Sequence, residues 1–136
     1  MRQALIALAA AAALVGSSVA LAAGSVTGIF TTSVKGKTPA SLNGEWAIRI
    51  QATGDYQIAK RVGTTANAQV LVSGHATLAG GKITFQKETG PAACKGKVSV
   101  GRYAWSLKGK TLTFQRLADK CVGRRTVLGG KFTQVA

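Results

Sequence analysis

The sequence is poor in acidic residues and histidine, and these shortages argue against several classes of enzyme. Only four of the 136 residues are Asp or Glu, and His75 is the single histidine. A glycosidase needs two carboxylates that face one substrate, and a serine hydrolase needs a base and an orienting acid. The four acids are more simply explained as partners of Lys or Arg, and no G-x-S-x-G motif occurs. We therefore predict a non-enzymatic protein without catalytic residues.

Cysteine is equally scarce, with Cys94 and Cys121 as the only two. Their spacing fits no zinc motif, and no phosphate-binding glycine loop opens a helix. The prediction is therefore that the protein holds no metal and no cofactor. In an oxidising compartment the two cysteines should form one disulfide bond. A metal-binding pair or two free thiols are the alternatives.

The only long apolar run lies at the start of the chain. A single positive charge at Arg2 precedes apolar residues 4–16, and small residues follow up to Ala20-Leu21-Ala22. This order is typical of a secretory signal peptide, and an uncleaved membrane anchor is the alternative. We predict cleavage after Ala22. Residues 1–22 are then the signal peptide, and residues 23–136 form one secreted or periplasmic domain, a monomer without a membrane span.

Positive charge is abundant, because 18 Lys and Arg residues face the four acids and give a formal net charge of +14. Such a surface should attract anions of any kind, although solubility alone is another explanation. The basic residues are spread along the chain, and within the predicted domain only Lys60-Arg61 and Arg124-Arg125 are adjacent. The sequence therefore contains no linear anion-binding motif.

Beyond the signal peptide the pattern is that of strands separated by short turns, with no helical periodicity. Residues 43–52 and 97–107 alternate between apolar and polar side chains, as half-buried strands do. A last strand is predicted over residues 125–135, with Gly129-Gly130 as a bulge or a break. Seven or eight strands in local hairpins favour an all-β, up-and-down antiparallel barrel of about eight strands, which leaves no open edge. A β-sandwich is the alternative.

Two motifs resemble those of small secreted bacterial proteins of the lipocalin-like (calycin) superfamily. The first is Gly44-Glu45-Trp46, which matches a G-x-W pattern at the start of a strand. The second is a longer constellation made of Ile83-Thr84-Phe85, Gly90-Pro91, Cys94, Tyr103, Trp105, Leu112-Thr113-Phe114, Asp119, Cys121, Gly123 and Arg124. The resemblance implies that Gly44 and Trp46 close one end of a barrel. It also implies that Arg124, or failing it Arg125, lies across the Trp46 ring.

Three hypotheses about function follow. In the first, the barrel binds a small apolar ligand in its open mouth, lined by Tyr103, Trp105, Phe85 and Phe114. It predicts a cavity on the order of several hundred Å³, and ordinary core packing is the alternative role of these aromatic residues. In the second, the basic surface binds a polyanion such as a cell-wall polymer, an acidic polysaccharide or nucleic acid. In the third, loops at the open end form a protein-interaction or inhibitor-like module.

Overall fold

The computed structural model describes residues 26–61 and 68–136. The predicted signal peptide, residues 1–22, lies outside these ranges. The described part is built mainly from eight strands: β1 (Gly28–Val34), β2 (Gly44–Ile50), β3 (Asp55–Arg61), β4 (Ala68–Ala79), β5 (Lys82–Thr89), β6 (Gly101–Lys108), β7 (Thr111–Ala118) and β8 (Lys131–Gln134).

Each strand pairs antiparallel with the next one along the chain, and β8 pairs with β1. The sheet is therefore a closed up-and-down barrel, which confirms the predicted fold and rules out the β-sandwich. Apolar and polar side chains alternate along the strands, and this alternation gives the barrel a buried and an exposed face. Trp46, Ile48 and Ile50 of β2 are buried, whereas Glu45 just before them and Arg49 between Ile48 and Ile50 are exposed.

The two ends of the barrel differ because alternate connections emerge at opposite ends. The connections 51–54, 80–81 and 109–110 are short turns. At the other end, here called the loop end, lie the longer connections 35–43, 90–100 and 119–130. Within the described residues no helix is long and apolar enough to cross a membrane.

Two of the predicted strand boundaries are wrong. The stretch predicted as the start of the last strand is instead a helix, α1 (Val122–Leu128), and β8 begins only at Lys131. Three residues of α1, Arg124, Val127 and Leu128, are buried. Their spacing of three and four positions is helical, but seven residues are too few for a clear periodic signal. Similarly, Gly96–Val98 form a 3₁₀ turn, so that β6 begins at Gly101 rather than near Lys97.

Candidate functional site

The four aromatic residues predicted to line a ligand cavity lie in or against the packed core. Phe85, Tyr103 and Phe114 are 0%, 1% and 8% exposed. The Phe85 ring lies edge-on to Tyr103 and to Phe114, with centroids 5.7 and 5.8 Å apart. Trp105 is partly buried against the same core and lies opposite Phe114 on the neighbouring strand. Edge-to-face packing of this kind fills the space that a ligand would need.

Inside the described part of the barrel, a cavity of about 40 Å³ lies at the loop end. Ligand pockets usually measure roughly 300–1,000 Å³. The cavity is lined by Leu42, Trp46, Ile58, Val72, Glu88, Ala92, Cys94, Gly123, Arg124 and Val127. None of the four predicted ligand-binding aromatic residues is among them. The large internal cavity expected from the small-ligand hypothesis is therefore not found among the described residues.

The predicted closing residues lie at the loop end, but one predicted contact is corrected. Trp46 is 5% exposed, and its indole N–H donates a hydrogen bond to the Leu42 carbonyl at 2.8 Å. The cation over the indole is the Lys60 ammonium, 5.5 Å from the ring centroid, and not Arg124. Gly44 begins β2 with φ +134°, and an added Cβ would lie 3.0 Å from Lys60 Cε. Arg124 turns away to buried carboxylates, which bind a guanidinium more strongly than a π face does.

Arg124 is the centre of a buried polar network, with only 4% of the residue exposed. Its Nε and Nη2 donate to the two oxygens of Asp119 at 2.8 and 2.9 Å, as a bidentate pair. Its Nη1 donates to Glu88 Oε2 at 3.1 Å. The remaining donors reach the carbonyls of Val98 and Ser99 at 3.2 and 3.1 Å. These contacts can use all five N–H groups of the guanidinium, which is the condition for burying it without a large penalty.

The only two tyrosines of the chain complete this network. The Tyr56 hydroxyl donates to Glu88, and the Tyr103 hydroxyl donates to Asp119. Burial and the hydrogen bonds to these carboxylates raise the pKa of both phenols far above the usual value. Burial alone would raise the pKa of Asp119, but hydrogen bonds from Arg124, Tyr103 and the backbone outweigh it and hold this pKa below its usual value.

The predicted disulfide is present between Cys94 and Cys121, whose Cα atoms are 6.0 Å apart. The Cys94 N–H donates to Glu88 Oε1 at 2.8 Å, and the Cys121 N–H donates to Asp119 Oδ1 at 3.0 Å. The bond therefore joins the two backbone segments that hold the carboxylates. The network, the disulfide and α1 form one cross-linked plug at the loop end.

The expectation that the acids pair with Lys or Arg holds for Asp119 and Arg124, but the sequence singled out neither Glu88 nor Gly101. Ile83 and Phe85 point inward on β5, so strict alternation would turn Lys87 inward and Glu88 outward. Lys87 instead adopts φ +56°, remains exposed and leaves Glu88 buried. An added Cβ at Gly101 would lie 2.6 Å from Arg124 Nη2, so the network needs a glycine there. Neither feature leaves a signal in the hydrophobic pattern.

The barrel separates its charges, with half of its acids inside and nearly all of its bases outside. Of the eighteen basic residues, Arg2 lies outside the described ranges and Arg124 is buried. The other sixteen are all exposed or half-buried. Only two acids lie at this surface. Glu45 accepts a hydrogen bond from the Ser33 hydroxyl at 2.6 Å, and Asp55 lies 3.2 Å from His75 Nδ1. Hydrogen bonds from His75 and Thr53 lower the pKa of Asp55.

Four of these surface cations border one depression of about 530 Å³, here called the basic groove. Its lining is Ser33, Val34, Lys35, Lys37, Arg116, Arg125, Thr126, Gly129 and Gly130. The groove lies towards the loop end, where the connection after β1 meets β7 and the end of α1. No acidic residue belongs to this lining.

Comparisons with protein-family models, with curated proteins and with solved structures each gave no match.

Proposed function

We propose that the protein is a non-enzymatic, extracytoplasmic β-barrel that binds anionic polymers through its basic surface. The observation that carries the proposal is the separation of charge. Glu88 and Asp119 are buried against Arg124, whereas sixteen basic residues lie at the surface beside two exposed acids. A surface of nearly one sign produces a positive potential that attracts and steers polyanions.

The aromatic residues favour a polymer without nucleobases. All eight aromatic side chains lie in the described ranges, and none of them is exposed. Proteins that bind single-stranded nucleic acid usually add aromatic stacking platforms to their basic grooves. This surface offers charge without stacking, which suits a polymer recognised by its repeated anionic groups. Phosphate-bearing or sulfate-bearing chains have this chemistry.

The other two hypotheses have less support. A small apolar ligand needs an interior cavity, and the described interior has about 40 Å³ beside Trp46. Among residues 26–61 and 68–136, no contact or surface feature specifically favours an inhibitor-like role. Native mass spectrometry of exported protein tests the ligand hypothesis directly, because a co-purifying small molecule would support it. The same spectrum tests the predicted signal peptide, since a mature chain should begin at Ala23.

Binding to inorganic polyphosphate across a salt series tests the proposal. Fluorescently labelled polyphosphate should bind at low salt, and its affinity should fall steeply between about 0.05 and 0.5 M salt as exposed charges are screened. An uncharged polymer of similar length should not bind. Polyphosphate affinity that is absent, or that does not change with salt, would contradict a charge-driven function.

A further inference from the structure

We infer that the basic groove is the principal binding site for the polymer, and that it takes consecutive phosphate or sulfate groups of one chain. This inference rests on the proposed function and adds a location to it. The alternative is diffuse binding, in which every surface cation contributes about equally. A principal site needs cations that the fold brings together and holds in place. Diffuse binding needs only exposed cations.

The groove exists because β8 is too short to cover its neighbours. β8 pairs with β7 only over Thr111–Thr113 and with β1 only at Phe30 and Thr31. β1 continues to Val34 and β7 continues to Ala118, beyond the reach of this strand. The resulting gap on the wall of the barrel is where α1 ends and where the groove lies.

The four cations come from three separate segments, which explains why the sequence shows no linear motif. Lys35 and Lys37 belong to the connection after β1, Arg116 belongs to β7, and Arg125 belongs to α1. Among the five depressions compared on the described residues, this one is the largest. Each of the other four is lined by at most one Lys or Arg. The clustering is therefore specific to this place in the fold.

Two of the four cations have backbones that the structure holds in place. The Lys37 N–H donates to Asn43 Oδ1 at 2.8 Å, and Asn43 Nδ2 donates to the Lys37 carbonyl at 3.2 Å. Arg125 follows Arg124, which the buried network fixes, and its N–H donates to the Cys121 carbonyl at 3.0 Å. A preorganised backbone lowers the entropy lost when the side chains close on a ligand.

Opposing charges near the groove are weak compared with its four cations. The end of α1 presents carbonyl oxygens, and the Arg125 oxygen lies 3.1 Å from the position of a Cβ on Gly129. The helix dipole places only a partial negative charge there. Glu45 reaches the groove indirectly, through its hydrogen bond to Ser33. The local balance therefore stays strongly positive.

The side chains define the class of ligand. Two arginines can form forked, bidentate contacts with tetrahedral oxyanions, and two lysines add point charges. The volume of about 530 Å³ lies within the usual range for ligand sites. No aromatic residue lines the groove, so bases have no surface to stack on. Repeated oxyanions on a chain without bases fit these features best.

A matched pair of fourfold variants tests the inference. The groove variant carries Lys35→Gln, Lys37→Gln, Arg116→Gln and Arg125→Gln. The control variant carries Arg49→Gln, Arg102→Gln, Lys108→Gln and Lys110→Gln, which removes the same number of exposed lysines and arginines outside the groove. At low salt the groove variant should lose at least about tenfold in polyphosphate affinity relative to the control variant. Heparin and a homopolymeric single-stranded DNA serve as sulfate and nucleic-acid probes.

Each outcome has a distinct meaning. A selective loss in the groove variant supports the inference, and the ratio between polyphosphate and heparin affinities distinguishes a phosphate source from a sulfate source. An equal loss in both variants overturns the groove but leaves the proposed function intact. Wild-type protein that binds no probe overturns both. DNA that binds more tightly than both other probes overturns the choice of a polymer without bases.

A second measurement locates the site without any substitution. Titration of isotopically labelled wild-type protein with tripolyphosphate should shift the amide resonances of Lys37, Arg125, Gly129 and Gly130. The amides of Arg49 and Lys108 should move little. Shifts spread evenly over the barrel would overturn the inference, even if the groove variant failed to fold.

Discussion

The buried network and the basic groove use the same kinds of cation for opposite purposes, and adjacent residues of α1 show the contrast. Arg124 is 4% exposed and bound to two carboxylates, so its charge is balanced inside the protein. Arg125, the next residue, is exposed and lines a groove without an acid. The first arginine balances two buried charges within the fold, and we propose that the second contacts an anion outside the chain.

The difference teaches that the surface is more one-sided in charge than the whole chain, with sixteen basic residues against two acids at the surface and eighteen against four in the sequence. The buried network contains half of the four acids but only one of the basic residues. Burial of these carboxylates therefore leaves the exterior more one-sided than the composition indicates. The plug also fixes the helix that carries Arg125, so stability and the proposed binding site share one structural element.

Removal of the buried guanidinium should have the largest effect on stability. Arg124→Met leaves Glu88 and Asp119 buried without their cation and should cost about 3–5 kcal/mol in the free energy of unfolding. Arg125→Met, its neighbour on the exposed face, should change stability by less than about 0.5 kcal/mol. Chemical denaturation of both variants measures the difference. Similar losses of stability in the two variants would contradict the different roles given to the two arginines.

Loss of the disulfide should have the second-largest effect on the free energy of unfolding. Replacing both Cys94 and Cys121 by serine frees the segments that hold the carboxylates and removes the cross-link from the unfolded chain. Loop-closure entropy predicts a cost of about 3–4 kcal/mol. Thermal unfolding followed by tryptophan fluorescence measures it, with the reduced wild-type protein as a comparison. A double variant as stable as the oxidised protein would show that the plug does not depend on its cross-link.

A methyl group at Gly101 should disturb the network by a smaller amount. Its Cβ would lie 2.6 Å from Arg124 Nη2 and 2.7 Å from Asp119 Oδ2, so these groups must shift. We expect Gly101→Ala to cost about 1–3 kcal/mol, the usual effect of disturbed buried polar groups. Gly123→Ala in α1 is the control, because its Cβ meets only Leu42 Cδ2 at 3.9 Å. Helix propensity predicts that Gly123→Ala is neutral or stabilising, and a destabilising control would contradict this account.

Titration of the two buried tyrosines should show the smallest effect, and it needs no substitution. Because burial and the carboxylates raise the pKa of Tyr56 and Tyr103, folded protein should show no tyrosinate absorbance near pH 11. The unfolded chain should titrate near pH 10. A pKa that is higher in the folded state stabilises the fold below about pH 10, and this stability is lost as the pH rises further. Ionisation of either phenol while the barrel remains folded would contradict the buried network.

Sequence patterns were sufficient for the barrel but not for its loop end. Alternation identified the buried face of β2, and the cysteine count identified the disulfide, because both are local or numerical properties. The inward turn of Glu88 depends on the positive φ of Lys87, which alternation does not register. The second half of α1 was predicted as part of the last strand, because a helix of seven residues gives too little periodicity.

The candidate site was harder to predict for a related reason. Tyr103, Phe85 and Phe114 were correctly placed on inward faces, but the pattern could not show that their rings fill the interior. Lys35, Arg116 and Arg125 are far apart in the sequence, and only the closed barrel and its short last strand bring them to one groove. Sequence-distant contacts of this kind need the fold before they can be inferred.

The salt dependence of polyphosphate affinity, measured on wild-type protein and on the groove variant, tests the central claim most directly. The plot of log affinity against log salt should be steep for the wild type. Its slope should become shallower by about one for each groove cation that contacts the polymer. Identical slopes for the two proteins would contradict the claim that these four cations form the binding site.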